Sequence, residues 1–318
     1  MKVLFVDHSY HLKTHSADFF LAVLRQAFEV ETFHYDQTYK CRIPRAMLEW
    51  ADVIIFWEFL YSRRELGVRG KRCIFVPMHD NEWGSKWQWR RIAASGMPII
   101  SFCDAITRHA LACGVANILD LRYFPAAAEL PQTPGEPGRV FLWERGEISL
   151  HAMQSVLPPS EGFSFDVKRS DEFLPREEYL RRLSRCEVFI APRMKEGIGM
   201  AFLEAMAMGK CVVANDDATM NEYIKNGETG ILRNFTKTPK TISTATVKSV
   251  LANVRTTAES ASSRWKSDIT KIVPFVESAA KLPPLPPQSV SDNLRYVLYL
   301  LEGVWRTRLM PKLANARA

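Results

Sequence analysis

The stretch VFIAPRMKEGIGMAFLEAMAMGKCVVANDDATMNEYIKNGETGIL, Val188 to Leu232, decides how the other residues of this 318-residue chain are read. Val188–Ala191 is an apolar run of strand length closed by Pro192, and the turn Glu196-Gly197-Ile198-Gly199 follows. Strong helix formers then run from Met200 to Met208, stopped by Gly209, and Cys211–Ala214 is a second apolar, β-branched run. Strand, glycine turn, helix and strand form a βαβ unit. Its turn presents free backbone N–H groups at a helix N-terminus, where phosphate or another anion binds. Glu196 and Glu204 lie eight positions apart, one before the helix and one inside it. Glu204 is placed to accept hydrogen bonds from a ribose diol, and Glu196 from hydroxyls lying beyond the phosphates. Spacing alone leaves helix–sheet packing as an equally good reason for a Gly-x-Gly turn.

Working outward, the N-terminal half repeats the same grammar. Lys2–Val6, Val30–Phe33, Val53–Trp57, Cys73–Pro77 and Pro98–Phe102 read as strands, the third as a continuous apolar run buried on both faces. Ser16 is the expected N-cap of a helix carrying Phe19, Phe20, Val23, Leu24 and Ala27, and a second helix ends over Ala46–Ala51. Functional side chains in open parallel sheets gather beyond the strands' carboxyl ends. That rule singles out the loop DHSYHLKTHS after the first strand (His8, Lys13, Thr14, His15 and Ser16), together with Glu58, His79-Asp80 and Asp104. Pro125–Gly138, with four prolines and two glycines, is the best linker. After it come a strand at Arg139–Trp143, a helix around Ser149–Val156, a strand near Phe163–Val167 and a helix at Arg176–Arg185. The stretch from Phe235 to Ser263 is moderately helical, Leu282–Pro287 is a rigid connector, and Asn293–Lys312 is an apolar helix with a basic end. The expected layout is a first domain over 1–130, a linker over 131–138, a second domain over 139–270, and C-terminal helices over 271–318 returning to the first domain.

Hydrophobic residues at 47% and charged residues at 24% are those of a globular protein. No apolar run reaches the roughly 18–20 residues that span a bilayer, and residues 1–7 read as a first strand rather than a secretory signal. The six cysteines form no CxxC pair and read as buried free thiols, which argues against a zinc site. Net charge is +7, concentrated between Ser62 and Arg91, where eight Lys/Arg stand against three acids. Trp83, Trp87 and Trp89 are interleaved there, open to reading as a half-buried helix, a membrane-interface contact or a sugar-stacking surface. No nucleic-acid motif accompanies the charge, and no nucleic-acid partner is expected.

The stretch from Pro192 onward resembles the family-4 retaining glycosyltransferases. Pro192, Glu196, Gly197, Gly199, Glu204, Ala205, Ala207 and Gly209 stand in the frame Pro-x-x-x-Glu-Gly-x-Gly…Glu-Ala-x-Ala-x-Gly. Glu222, Ile224, Asn226, Gly227 and Gly230 match the pattern downstream. The resemblance implies a GT-B fold, an α/β architecture of two Rossmann-like domains with parallel sheets facing across a cleft. It further implies a nucleotide diphosphate sugar donor on the second domain and no essential metal or other cofactor. Carried over residue by residue, Glu196 holds donor-sugar hydroxyls, Glu204 the ribose, and the Gly197-Ile198-Gly199 amides the diphosphate. Arg145 matches the first of two expected phosphate cations. Leu150 stands at the second, so Lys195 or Arg193 is the candidate replacement. His79 resembles the histidine placed near the donor sugar, and Glu58 is similarly set to orient an acceptor hydroxyl, with general-base assistance open to either. The glycine pair common after the first strand is absent. Asp216-Asp217 reads as a turn rather than a metal motif.

The expected activity is therefore retaining transfer of a sugar to a hydroxyl of a glycan or glycolipid, as in bacterial surface polysaccharide or lipopolysaccharide synthesis. A cytoplasmic enzyme able to sit peripherally on anionic membrane at its inner face would suit that work. A GT-B nucleotide-sugar epimerase and a non-catalytic nucleotide-sugar-binding module stay open as alternatives.

Overall fold

The structure, a computed structural model, describes residues 1–36, 43–59, 70–80, 86–169, 175–237 and 240–286. Two parallel sheets organise them. The first contains β1 (Lys2–His8), β2 (Glu29–Tyr35), β3 (Val53–Glu58), β4 (Arg72–Pro77), β5 (Ile99–Ser101) and β6 (Ile118–Asp120), in the order β2-β1-β3-β4-β5-β6. The second contains β7 (Arg139–Glu144), β8 (Ser164–Arg169), β9 (Val188–Ile190), β10 (Cys211–Asn215) and β11 (Ile231–Arg233), in the order β11-β10-β9-β7-β8. Every strand pairing is parallel. Strands covered by helices on both faces must be apolar along their whole length. Val53–Trp57 and Cys211–Ala214 meet that demand and are buried throughout.

The strand order places the site. Each sheet runs outward in both directions from a first strand, and a crevice opens where the winding reverses. In the first sheet that point lies between β1 and β3, and in the second between β7 and β9. The residues at and just beyond the carboxyl ends of these four strands are Asp7 to Ser16, Glu58, Arg145 and Pro192 to Gly199.

The sequence expectations meet several corrections. The first long helix runs from Asp18 to Ala27 with Ala17 at its N-cap, so Ser16 is not the cap, and its hydroxyl lies 3.1 Å from that of Thr14. The helix expected to end over Ala46–Ala51 spans Arg45–Trp50. Ser149 does cap Leu150–Val156, its hydroxyl accepting from Ala152 N–H at 3.2 Å. The residues after Phe235 contain one 25-residue helix, Thr244–Asp268, rather than moderate helicity. The Pro/Gly-rich segment is pinned to the second domain, at the end of the helix Arg176–Arg185. Glu136 N–H donates to Arg185 O at 2.8 Å, and the buried ammonium of Lys210 donates to Thr133 O at 2.9 Å and Ser184 O at 2.6 Å. Trp89 is core, 2% exposed, on the helix Lys86–Ala94, whereas Trp83, the side chain of Trp87 and the helix expected over Asn293–Lys312 lie outside the described residues.

One apolar cluster runs through both sheets, from Phe5, Phe20, Trp57 and Phe102 to Phe141, Phe189 and Phe202. Trp265 on the long helix joins it, its ring 5.7 Å from Phe19 and 5.2 Å from Tyr123. The helix Ile272–Ala280 packs against β3, β4 and the helix Asp18–Ala27. Among the described residues no helix is long and apolar enough to cross a membrane.

Candidate active site

The two switch points open onto one cleft of about 410 Å³. Its first-domain wall comes from Tyr10–Ser16, Glu58, Met78 and Asp80, and its second-domain wall from Trp143, Arg145, Arg176, Arg193 and Glu196–Ala201, with Glu204 behind.

The glycine turn is built as the helix demands. Gly199 is the N-cap of the helix Met200–Ala207, at φ +80°, and a Cβ there would lie 1.9 Å from the Phe202 ring. Only glycine fits that left-handed position so close to a buried ring. Gly197 has a different reason: a Cβ there would come 2.7 Å from Asp80 Oδ1 and 3.0 Å from Met78 Cβ. It allows the turn to approach the first domain, a role invisible without the partner sheet. The helix uses no side-chain cap, so its N-terminal amides stay open to a ligand on the cleft side.

Both carboxylates of the turn and helix are buried, Glu196 at 8% exposure and Glu204 at 3%. Burial pushes the Glu196 carboxyl up to about 7, with Arg193 and Arg145 opposing and Asp80 and Glu147 adding to the rise. Glu204 is paired with the guanidinium of Arg176, whose Cζ also sits 5.7 Å over the Tyr179 ring. Arg145 donates to the Tyr10 hydroxyl at 2.8 Å, across the cleft, and lies 5.6 Å over the Trp143 ring. Arg193 reaches over as well, 2.5 Å from Asp80 Oδ2, while its other side meets Glu147 at 3.4 Å.

The sequence candidates divide. Glu58, Arg145, Glu196, Gly197, Ile198, Gly199 and Glu204 all line the cleft. His79 and Lys195 do not. Lys195 is exposed, and Arg193 occupies the cation position on the cleft side of that turn. His79 is buried with Nδ1 3.6 Å from Asp217 Oδ1, and burial lowers its pKa. Its neighbour Asp80 is the residue that faces the cleft. Leu150, at the expected second cation position, opens the helix Leu150–Val156. Sequence reading missed Arg176, which no motif marks, and His11, which lay unremarked in the loop after β1. The His11 signal was its place in the loop beyond the carboxyl end of β1, where functional side chains of a parallel sheet gather.

Residues 172–259 match the family model described as glycosyl transferases group 1. The fold is GT-B. Sucrose-phosphate synthase from Thermosynechococcus elongatus superposes with TM-score 0.57 at 9% identity, covering 87% of this chain and 98% of that one. Anabaena HepE, solved in complex with UDP-glucose, superposes with TM-score 0.55 at 15% identity, covering 87% of this chain and all of that one. Among curated proteins, the α-maltose-1-phosphate synthase of Mycolicibacterium smegmatis is 32% identical over 139 residues, 43% of this chain. The match spans only 33% of that relative's length.

Proposed function

We propose that this chain is a retaining glycosyltransferase, moving a sugar from a nucleoside diphosphate sugar to a hydroxyl of a glycan or glycolipid without an essential metal. One observation carries the reading: Glu196 and Glu204, buried on either side of a glycine turn, open onto the same cleft as the unblocked helix N-terminus and Arg145. The family match over 172–259 supports it, as does the UDP-glucose held by HepE.

In this reading the ribose lies at Glu204 and Arg176, and the diphosphate lies at the Gly199 end of the helix. The sugar then reaches Glu196 and the first-domain wall. As the anomeric carbon–oxygen bond to the diphosphate breaks, negative charge grows on the leaving phosphate. The helix amides and the guanidinium of Arg145 stabilise that charge without rearranging. The acceptor oxygen forms the new bond, and its proton goes to the departing phosphate. Glu196 sits near the midpoint of its titration at neutral pH, so it can accept or donate a hydrogen bond at a sugar hydroxyl. Tyr10, 36% exposed on the first-domain wall, offers a ring face against which an acceptor sugar can stack. Work on growing surface polysaccharide or lipopolysaccharide, at the inner face of a membrane, is the setting we propose for such an acceptor.

The test is product analysis by NMR with UDP-glucose and a panel of glycan acceptors, with and without a chelator. The expected product has the donor's anomeric configuration, turnover survives chelation, and Glu196→Ala loses on the order of 10²-fold in kcat. Full activity in that variant would overturn the assignment, and an epimerised nucleotide sugar formed from donor alone would replace transfer with epimerisation.

A further inference from the structure

At the switch point of the first sheet lies a cluster that donor binding does not use. Asp7 is the penultimate residue of β1, Glu58 ends β3, and His11 sits between them on the short helix His11–Thr14. His11 Nδ1 is 2.5 Å from Asp7 Oδ1, and its Nε2 is 3.1 Å from Glu58 Oε2. An imidazole can donate from both nitrogens only when doubly protonated, so the unit is carboxylate–imidazolium–carboxylate. The two carboxylates are not equivalent. Asp7 is 1% exposed, is not part of the cleft wall and accepts from the N–H of His8 at 2.7 Å, whereas Glu58 lines the cleft. Glu58 is also one of the few non-glycine residues at positive φ, +70°, with Phe59 N–H donating to Trp57 O at 2.8 Å around it. That is a γ-turn of the strained kind, which persists only where surrounding contacts enforce it.

We infer that His11 is a positioning residue: anchored on Asp7, it holds the Glu58 carboxylate at the cleft wall so that Glu58 accepts a hydrogen bond from the attacking acceptor hydroxyl. The inference rests on the glycosyl-transfer reading given above. The geometry has a clear division of labour. One oxygen of Glu58 is tied to His11, the turn fixes the direction of the side chain, and the buried Asp7 balances the imidazolium so that the cation does not neutralise Glu58 alone. His11 faces Asp7 and Glu58 directly and His34 on β2, while Asp80, Arg145 and Glu196 complete the charged surroundings across the cleft. Asp7, His11 and Glu58 all belong to the first sheet's side of the cleft, so the loss of this unit is expected to affect acceptor use rather than donor affinity.

The experiment uses the full chain with UDP-glucose, water standing in for the acceptor hydroxyl, alongside calorimetric binding of UDP. His11→Asn is expected to keep UDP affinity within about twofold while kcat for UDP-glucose hydrolysis falls on the order of tenfold or more, the cost of a misdirected group. The wild type should lose activity on an alkaline limb as His11 gives up its proton. Asp7→Asn, which leaves His11 in place, should move that limb toward neutral pH. Wild-type kcat with an unshifted profile in His11→Asn overturns the inference. Should that variant fail to fold, an unmoved limb in Asp7→Asn overturns it instead. A wild type that binds UDP but shows no change in either variant sinks this inference alone, whereas one that binds neither UDP nor UDP-glucose sinks the transfer reading with it.

Discussion

Glu196 and His11 are two cleft residues whose shifted protonation couples to folding around neutral pH, and their signs are opposite in origin but alike in direction. Burial raises Glu196 from 4.5 to about 7, so between those values the native state holds a proton that the unfolded chain has lost. Stability contributed by the protonated carboxyl is present below 4.5 and falls as pH rises through 7. At roughly 1.4 kcal/mol per unit the full cost is about 3 kcal/mol. Glu196→Gln should therefore raise the melting temperature at pH 8 and leave it nearly unchanged at pH 4, by differential scanning calorimetry. For His11, burial alone would lower the pKa, but the hydrogen bonds to Asp7 and Glu58 outweigh it and hold the ring at about 9. Its stabilisation is present below 6.5 and is lost as pH rises to about 9. The same calorimetric series on His11→Asn should show a flatter stability profile across that window. A wild-type slope there would contradict the imidazolium geometry. At this scale the sequence was legible where a motif fixes a side chain's place, as with Glu196, Glu204 and Arg145, which all line the cleft. It left the choice open, or misplaced it, where neighbours compete: Asp80 rather than His79 lines the cleft, and of the two candidate cations Arg193 and Lys195 only Arg193 does. Both outcomes follow from which way one residue points at the end of a strand, and residue order does not encode that direction on its own.

The elements were read most accurately where hydrophobic period and punctuation agree. Arg176–Arg185 forms the expected helix, and the βαβ unit around Gly199 runs as its apolar runs and glycines dictate. Strand β6, Ile118–Asp120, and the helix Asp104–Ala112 escaped notice, the strand being only three residues long and half-buried. That helix also has no local cap. Its N-cap, Cys103, supplies no side-chain cap, and the carboxylate of Glu222, on the helix Met220–Tyr223 of the second domain, accepts from Asp104 N–H at 2.8 Å. A cap supplied from 118 residues away leaves no trace in local sequence. Gly199 makes the sharpest element-scale prediction. Gly199→Ala puts a Cβ at positive φ and against Phe202, and should cost at least about 2 kcal/mol by urea denaturation at unchanged m-value. The same variant should weaken binding of UDP, since the helix end it distorts is the proposed phosphate seat. A variant of wild-type stability would mean that the turn relaxes freely.

Across the whole molecule, the two sheets are joined by polar contacts as well as by the shared core. Glu222 meets Arg122 Nε at 2.9 Å in addition to the helix it caps, Tyr223 donates to Tyr123 O at 2.9 Å, and Arg193 pairs with Asp80. Glu222→Gln removes the charge from this latch while keeping its shape. About 2 kcal/mol of stability should go with it, in line with hydrogen bonds to charged groups, and the loss should appear in the same urea transition. The strand order explains why the cleft lies where it does. Both sheets reverse their winding at the strands that face each other, so His11, Glu58, Arg145 and Glu196 converge although 185 positions separate the first from the last. Two α/β units were legible in the sequence, but the way they lock together was not, because the latch residues are single polar side chains spread over both. The central claim is that this cleft holds a nucleoside diphosphate sugar against Glu196 and Glu204, and calorimetric titration of the full chain with UDP-glucose tests it most directly. The account predicts saturable one-to-one binding that Glu204→Ala weakens by at least about tenfold, the loss of a ribose contact worth roughly 1.4 kcal/mol. Binding of equal strength in that variant would contradict it.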